Sequence, residues 1–143
     1  MKTTKEPFIT MTRQRDDDFY RACCRELGKA YQRGRGYESA RALVVATLQH
    51  QAPQFYVTHN SALRRLRDRR SKRFKATYKS KQQMWEDLDK RVSDLETRHK
   101  IGLSEALMRV LAESRAPQFY VSPSAGEKIF RRRRGKNLIT EKL

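Results

Sequence analysis

A chain of 143 residues holds one ordinary domain or two very small ones. Hydrophobic residues make up 37%, and the longest apolar run, Ala42 to Leu48 broken by Thr47, falls far short of a membrane span; the charged start Met1-Lys2-Thr3-Thr4-Lys5 leads into no secretory-type apolar stretch, so a cytoplasmic protein without membrane contact is expected. A formal net charge of +17 and a pI near 10.5 call for a polyanion partner, of which nucleic acid is the commonest.

Met1 to Arg15 is polar, basic and interrupted by Pro7, and reads as a flexible N-terminal arm over 1–15. Asp16-Asp17-Asp18 follows, where three acids suit the positive end of a helix dipole and its cap better than metal or acid–base chemistry. Tyr20, Cys23, Leu27 and Ala30 or Tyr31 then recur at helical spacing, and Gly34 and Gly36 end the pattern. Cys23 and Cys24 are adjacent and are the only cysteines, so neither a mutual disulfide nor a metal site is expected; Cys23 lies on the apolar side.

A second helix is expected from about Glu38 to Gln49, stopped by Pro53. The hexapeptide Ala52-Pro53-Gln54-Phe55-Tyr56-Val57 comes next, a short extended segment by its strand-forming residues. It returns unchanged as Ala116-Pro117-Gln118-Phe119-Tyr120-Val121, 64 positions later. Both copies follow an apolar run containing Ala-Leu, and both lead into arginine clusters, with Arg67, Arg69 and Arg70 matching Arg131, Arg133 and Arg134. This self-similarity reads as a duplication.

Thr58 or Asn60 can cap the third helix, which carries Arg64, Arg65, Arg67, Arg69 and Arg70 and runs into a basic linker over 71–80 with Lys72, Arg73, Lys75 and the interleaved Phe74 and Tyr78. From His59 to Lys81, ten lysines and arginines face one aspartate. Ser80-Lys81-Gln82-Gln83 resembles a capping box and opens the second unit. There Trp85, Leu88, Val92 and Leu95 match Tyr20, Cys23, Leu27 and Ala30 at an offset of 65. A further apolar helix spans Leu103 to Glu113, and a last basic helix starts at Ser122-Pro123, carries Lys128, Arg131, Arg132, Arg133 and Arg134 and is expected to stop at Gly135, before Lys136 and the tail over 135–143.

The expected fold is all-α: two tandem pseudo-repeats of about three helices, over 16–70 and 81–134, each with a short extended segment before a basic third helix. Isolated histidines (His50, His59, His99), the absence of a phosphate loop and the lack of metal-ligand spacing point away from catalysis, cofactors and metals. The acids Glu86, Asp87, Asp89, Asp94 and Glu96 read as a solvated face, open to pairing with the arginines of a neighbouring helix or of another molecule. The basic residues named above form the expected nucleic-acid-binding set, arranged in a helix-turn-helix-like plan with DNA slightly favoured over RNA. Tyr56, Tyr120 and Tyr78 are candidates for base stacking. The structural alternative for the hexapeptides is that their Phe and Val side chains plug the core while the two copies pair antiparallel about a pseudo-twofold axis. A second functional expectation is an accessory subunit of a nucleoprotein assembly, with protein partners.

Overall fold

The computed structural model describes the backbone of residues 6–72 and 79–142 and the side chains of residues 11–72 and 79–135. Among these the chain is all-α, without a strand: α1 Glu6–Gln32, α2 Ala40–Thr47, α3 His59–Arg70, α4 Lys79–His99, α5 Leu103–Glu113 and α6 Pro123–Lys142. Arg73, Lys75 and Tyr78 lie outside the described residues, and of Lys136 only the backbone is described.

Helix starts follow local chemistry. Ser39, Thr58 and Ser122 each accept a hydrogen bond at the head of α2, α3 and α6, from the backbone N–H of Ala42, Ser61 and Ala125 at 3.1, 3.3 and 3.2 Å. The end of α1 follows Gly34, whose φ of +72° is open to glycine: Arg35 N–H bonds Ala30 O at 2.8 Å and Gly34 N–H bonds Tyr31 O at 3.0 Å, a Schellman motif.

Three boundaries depart from expectation. α1 starts at Glu6, so residues 6–15 are helix rather than a flexible arm, and Asp16-Asp17-Asp18 lies mid-helix and caps nothing. Each of those acids has its own partner: Asp16 pairs with Arg15, Asp17 with Arg133, and Asp18 with Tyr56. α4 already includes Lys79, which places Ser80 inside the helix rather than at its cap. α6 continues through Gly135, since one interior glycine costs a helix only about 1 kcal/mol.

The packing crosses the two halves of the sequence. α1, α2 and α6 pack on one another, while α3 and α4 both pack on α5. Rings of Tyr20 and Phe130 lie 5.7 Å apart, and Arg133 reaches Asp17 at 2.8 Å, so α6 runs antiparallel along α1. Its approach to α2 is close: a Cβ on Gly126 would sit 2.7 Å from Val44 Cγ1 and 3.1 Å from Phe19 Cζ. The third helix of each sequence half thus docks on helices of the other half. A helix-turn-helix-like plan would pack α3 on α2 directly before it; α3 packs on α5 instead, because the extended hexapeptide carries the chain across the molecule.

The crossing point is the hexapeptide pair. Ala52 and Ala116 form one antiparallel bridge, and no further backbone pair joins the two copies among the described residues. An extended strand segment is therefore reduced to a single bridge. Around it Phe19, Phe55, Phe119, Leu66, Leu88, Leu107, Val44 and Val110 form one continuous core. On α1 the core takes Phe19, Cys23 and Ala30 but leaves Leu27 at 42% exposure, contrary to the expected stripe. On α4 it takes Met84, Trp85, Leu88 and Val92.

Candidate nucleic-acid interface

The positions of arginines on α3 and α6 decide what each can do. Ala62 and Leu66 define the buried stripe of α3, and Arg69 and Arg70 stand seven and eight residues beyond Ala62, still on that stripe. They reach inward to α4: Arg70 donates to Asp89 at 2.8 Å, to Glu96 at 2.7 Å and to Ser93 at 3.0 Å, and Arg69 pairs with Asp89 at 3.4 Å. The hydrogen bond to Glu96 and the nearby Asp89 hold the Arg70 guanidinium proton more tightly than usual. Arg133 stands seven residues beyond the buried Gly126 of α6 and reaches Asp17 of α1. These three arginines fasten the crossed helices, and the acidic face of α4 is the counterpart for two of them.

The outward positions are different. Arg64, Arg67 and Lys72 of α3 and its C-terminal turn are exposed and have no partner among the described residues; the same holds for Lys128, Arg132 and Arg134 of α6. Arg64 and Lys128 each lie six residues past a cap, Thr58 and Ser122, so both basic helices present a cation at the same height. Arg65 is exposed as well. Arg131 pairs with Glu127 one turn earlier at 2.8 Å, and Glu127 also holds Arg41 of α2 at 2.7 Å, a contact with no sequence signal.

The tyrosines of the hexapeptides face inward. Tyr56 stacks on Phe119 at 6.3 Å and Tyr120 on Phe55 at 6.1 Å, each ring against the other copy. The Tyr56 hydroxyl donates to Asp18 at 2.6 Å and the Tyr120 hydroxyl to Asp87 at 2.5 Å, and burial followed by these carboxylates pushes both phenols above the ordinary tyrosine range. Tyr120 is 4% exposed, and the cleft beside both rings, about 30 Å³, has room for a water or two but not for a base. Tyr120 is thereby closed to a nucleobase, whereas Tyr56 is half-buried with its ring against Phe119. Arg91 completes the joint, its guanidinium 5.5 Å from the Phe55 ring centre and bonded to Arg115 O.

Elsewhere, Cys23 is buried and Cys24 exposed; burial pushes the Cys23 thiol up to about 11. His50 meets Glu26 at 3.1 Å, and His59 Nε2 lies 3.0 Å from Ser104 O and 3.3 Å from Ser104 Oγ. Among the described residues no group of three or more His, Cys, Asp or Glu side chains is placed to hold a metal ion, and no helix is long and apolar enough to cross a membrane. Set against protein-family models, curated proteins and solved structures, the chain matches none.

Proposed function

We propose that the protein is a non-enzymatic nucleic-acid-binding protein that grips the phosphate backbone with the outward faces of α3 and α6, and that the chain is built as two tandem pseudo-repeats whose third helices are exchanged. The observation that supports this most is the division of labour among arginines. Arg69, Arg70 and Arg133 are neutralised by carboxylates, while Arg64, Arg67, Lys128, Arg132 and Arg134 are left to solvent. Unpaired cations at this density repel one another on a bare surface, and a polyanion relieves that repulsion. Lysine and arginine contacts to phosphate carry no base identity, so binding is general, with duplex DNA slightly ahead of RNA. Replacing Arg64, Arg67, Lys128 and Arg132 by alanine and measuring binding to a DNA duplex tests the reading: affinity falls sharply with the fold intact, and unchanged affinity contradicts it.

The second reading is an accessory subunit of a nucleoprotein assembly. It draws on two apolar side chains left outward, Val45 of α2 at 40% exposure and Met108 of α5 at 58%. A protein partner that copurifies and loses its grip when both become serine favours this reading.

A further inference from the structure

A second cluster of cations lies away from α3 and α6, where α1 ends. Lys29 and Arg33 are four residues apart and share a face of the last helical turn. Gly34, at φ +72°, then reverses the chain, and the bond from Arg35 N–H to Ala30 O at 2.8 Å folds Arg35 back over the same end. Two residues on, the Tyr37 hydroxyl donates to Glu26 of α1 at 2.9 Å, and His50, just past α2, meets the same carboxylate at 3.1 Å. Helix, turn and the end of α2 thus wall a cleft of about 380 Å³, lined by Glu26, Lys29, Arg33, Arg35, Tyr37 and His50.

Charge decides what such a cleft takes. Lys29, Arg33 and Arg35 are exposed, and their side chains have no hydrogen-bond or ion-pair partner among the described residues. The one carboxylate of the lining, Glu26, has one oxygen on Tyr37 and the other on His50. Cations at a helix C-terminus also complement its dipole, but that end carries only about half a negative charge. Three cations against one carboxylate and that half charge leave a surplus of about 1.5 positive charges, with His50 counted neutral. Complementing the helix end therefore uses only part of the cluster.

We propose that this cleft binds a phosphate monoester, the terminal phosphate of a polynucleotide strand or of a free nucleotide, on Lys29, Arg33 and Arg35. A monoester carries about −1.5 to −2 charges near neutral pH, against about −1 for an internal phosphate, and so matches the surplus more closely. Its bare oxygens suit the two guanidinium forks. The cleft stands at the small end of ligand pockets, which run from about 300 to 1,000 Å³, and has room for one phosphate and its nucleoside but not for a duplex. The site goes beyond the outward faces of α3 and α6 and does not depend on them.

The test uses the full chain at fixed salt. Its probes are oligo(dT) ending in a 5′-phosphate or a 5′-hydroxyl, thymidine monophosphate, and a blunt DNA duplex with 5′-hydroxyl ends. Wild type is compared with Arg33→Ala/Arg35→Ala, which keeps Gly34 and the backbone bonds of the turn and is expected to melt as wild type does. A strand-end site shows as a preference of about 10- to 100-fold for the 5′-phosphate, the contribution of one hydrogen bond to a charged group, and the arginine pair abolishes it. A free-nucleotide site shows as saturable binding of thymidine monophosphate, lost in the same variant, with no preference between strand ends. Equal affinity for both ends together with no binding of the monophosphate overturns the proposal, as does either signal surviving in the variant. The duplex reads the α3 and α6 interface separately, and its failure to bind contradicts that interface alone.

Discussion

Ala52 and Ala116 exchange both backbone hydrogen bonds, Ala52 N–H to Ala116 O at 3.0 Å and Ala116 N–H to Ala52 O at 3.1 Å. This bridge is where the chain crosses itself. On either side the phenylalanine of one hexapeptide stacks on the tyrosine of the other, and each tyrosine ends on a long helix, Tyr56 on α1 and Tyr120 on α4. The crossing aims α3 at α5 and α6 at α1 and α2, and so decides which arginines face carboxylates and which face solvent.

The two tyrosine–aspartate bonds anchor that crossing. Tyr56→Phe and Tyr120→Phe keep the ring stacks but strand a partly buried carboxylate, and each is expected to cost about 1–3 kcal/mol in urea unfolding. Affinity for nucleic acid stays at the wild-type value while the protein is folded. A loss of affinity without a loss of stability would return these tyrosines to the binding surface.

The helical character, the helix order and the inward half of each hexapeptide were legible in the sequence, because periodicity and proline placement are local signals. Partners across the chain were not. Asp18 and Asp87 serve the equivalent tyrosines and lie 69 positions apart, whereas the apolar pattern of α1 and α4 aligned best at 65, about one helical turn away. The pattern misled because it counted Leu27 as core and passed over Phe19, which is fully buried and meets Phe119 edge-on at 5.3 Å. Arg70 and Arg133 looked like phosphate ligands for the same reason: composition counts charges, and only the fold shows which of them a carboxylate already holds.

Fastening and binding arginines separate by experiment. Arg70→Ala leaves Asp89 and Glu96 without their shared partner and lowers stability by about 1–2 kcal/mol, a range reduced for a site still partly open to solvent. Arg64→Ala leaves stability within about 0.5 kcal/mol and lowers the salt dependence of binding by about one phosphate contact. Thermal melts and salt titrations of the two variants read both effects, and the opposite assignment would show as exchanged outcomes.

Gly126 sets the spacing between α6 and α2. Gly126→Ala forces Val44 and Phe19 apart and is expected to destabilise the fold by about 1–3 kcal/mol, despite alanine's better helix propensity. The α3 residue at the same place, four past the Thr58 cap, is Ala62, so Ala62→Gly serves as the reciprocal control and loses only about 1 kcal/mol of helix propensity, plus whatever the lost methyl contributes to packing. A stabilised Gly126→Ala variant would rule out the close approach.

The cysteines give a chemical readout of burial. In the native protein a thiol reagent modifies Cys24 alone, and Cys23 reacts only on unfolding. The native Cys23 thiol ionises near 11, whereas an unfolded cysteine does so at about 8.5. The unfolded state therefore releases this proton first, and the stability it confers is complete below about pH 8.5 and is lost as pH rises towards 11. Tyr56 and Tyr120, both held above the ordinary phenol range, add to the same alkaline loss. Unfolding midpoints measured from pH 7 to 11 should hold to about pH 8.5 and fall above it, with Cys23→Ala falling less steeply.

Phosphate contact by the outward cations of α3 and α6 is most directly tested by a salt titration of binding to duplex DNA and to RNA. Six such cations, Arg64, Arg67, Lys72, Lys128, Arg132 and Arg134, predict a logarithmic slope of about −5 for duplex DNA when all are engaged. A steep fall in affinity with salt, made shallower by alanine at these positions, is the predicted result. A flat response for DNA and RNA alike would contradict it.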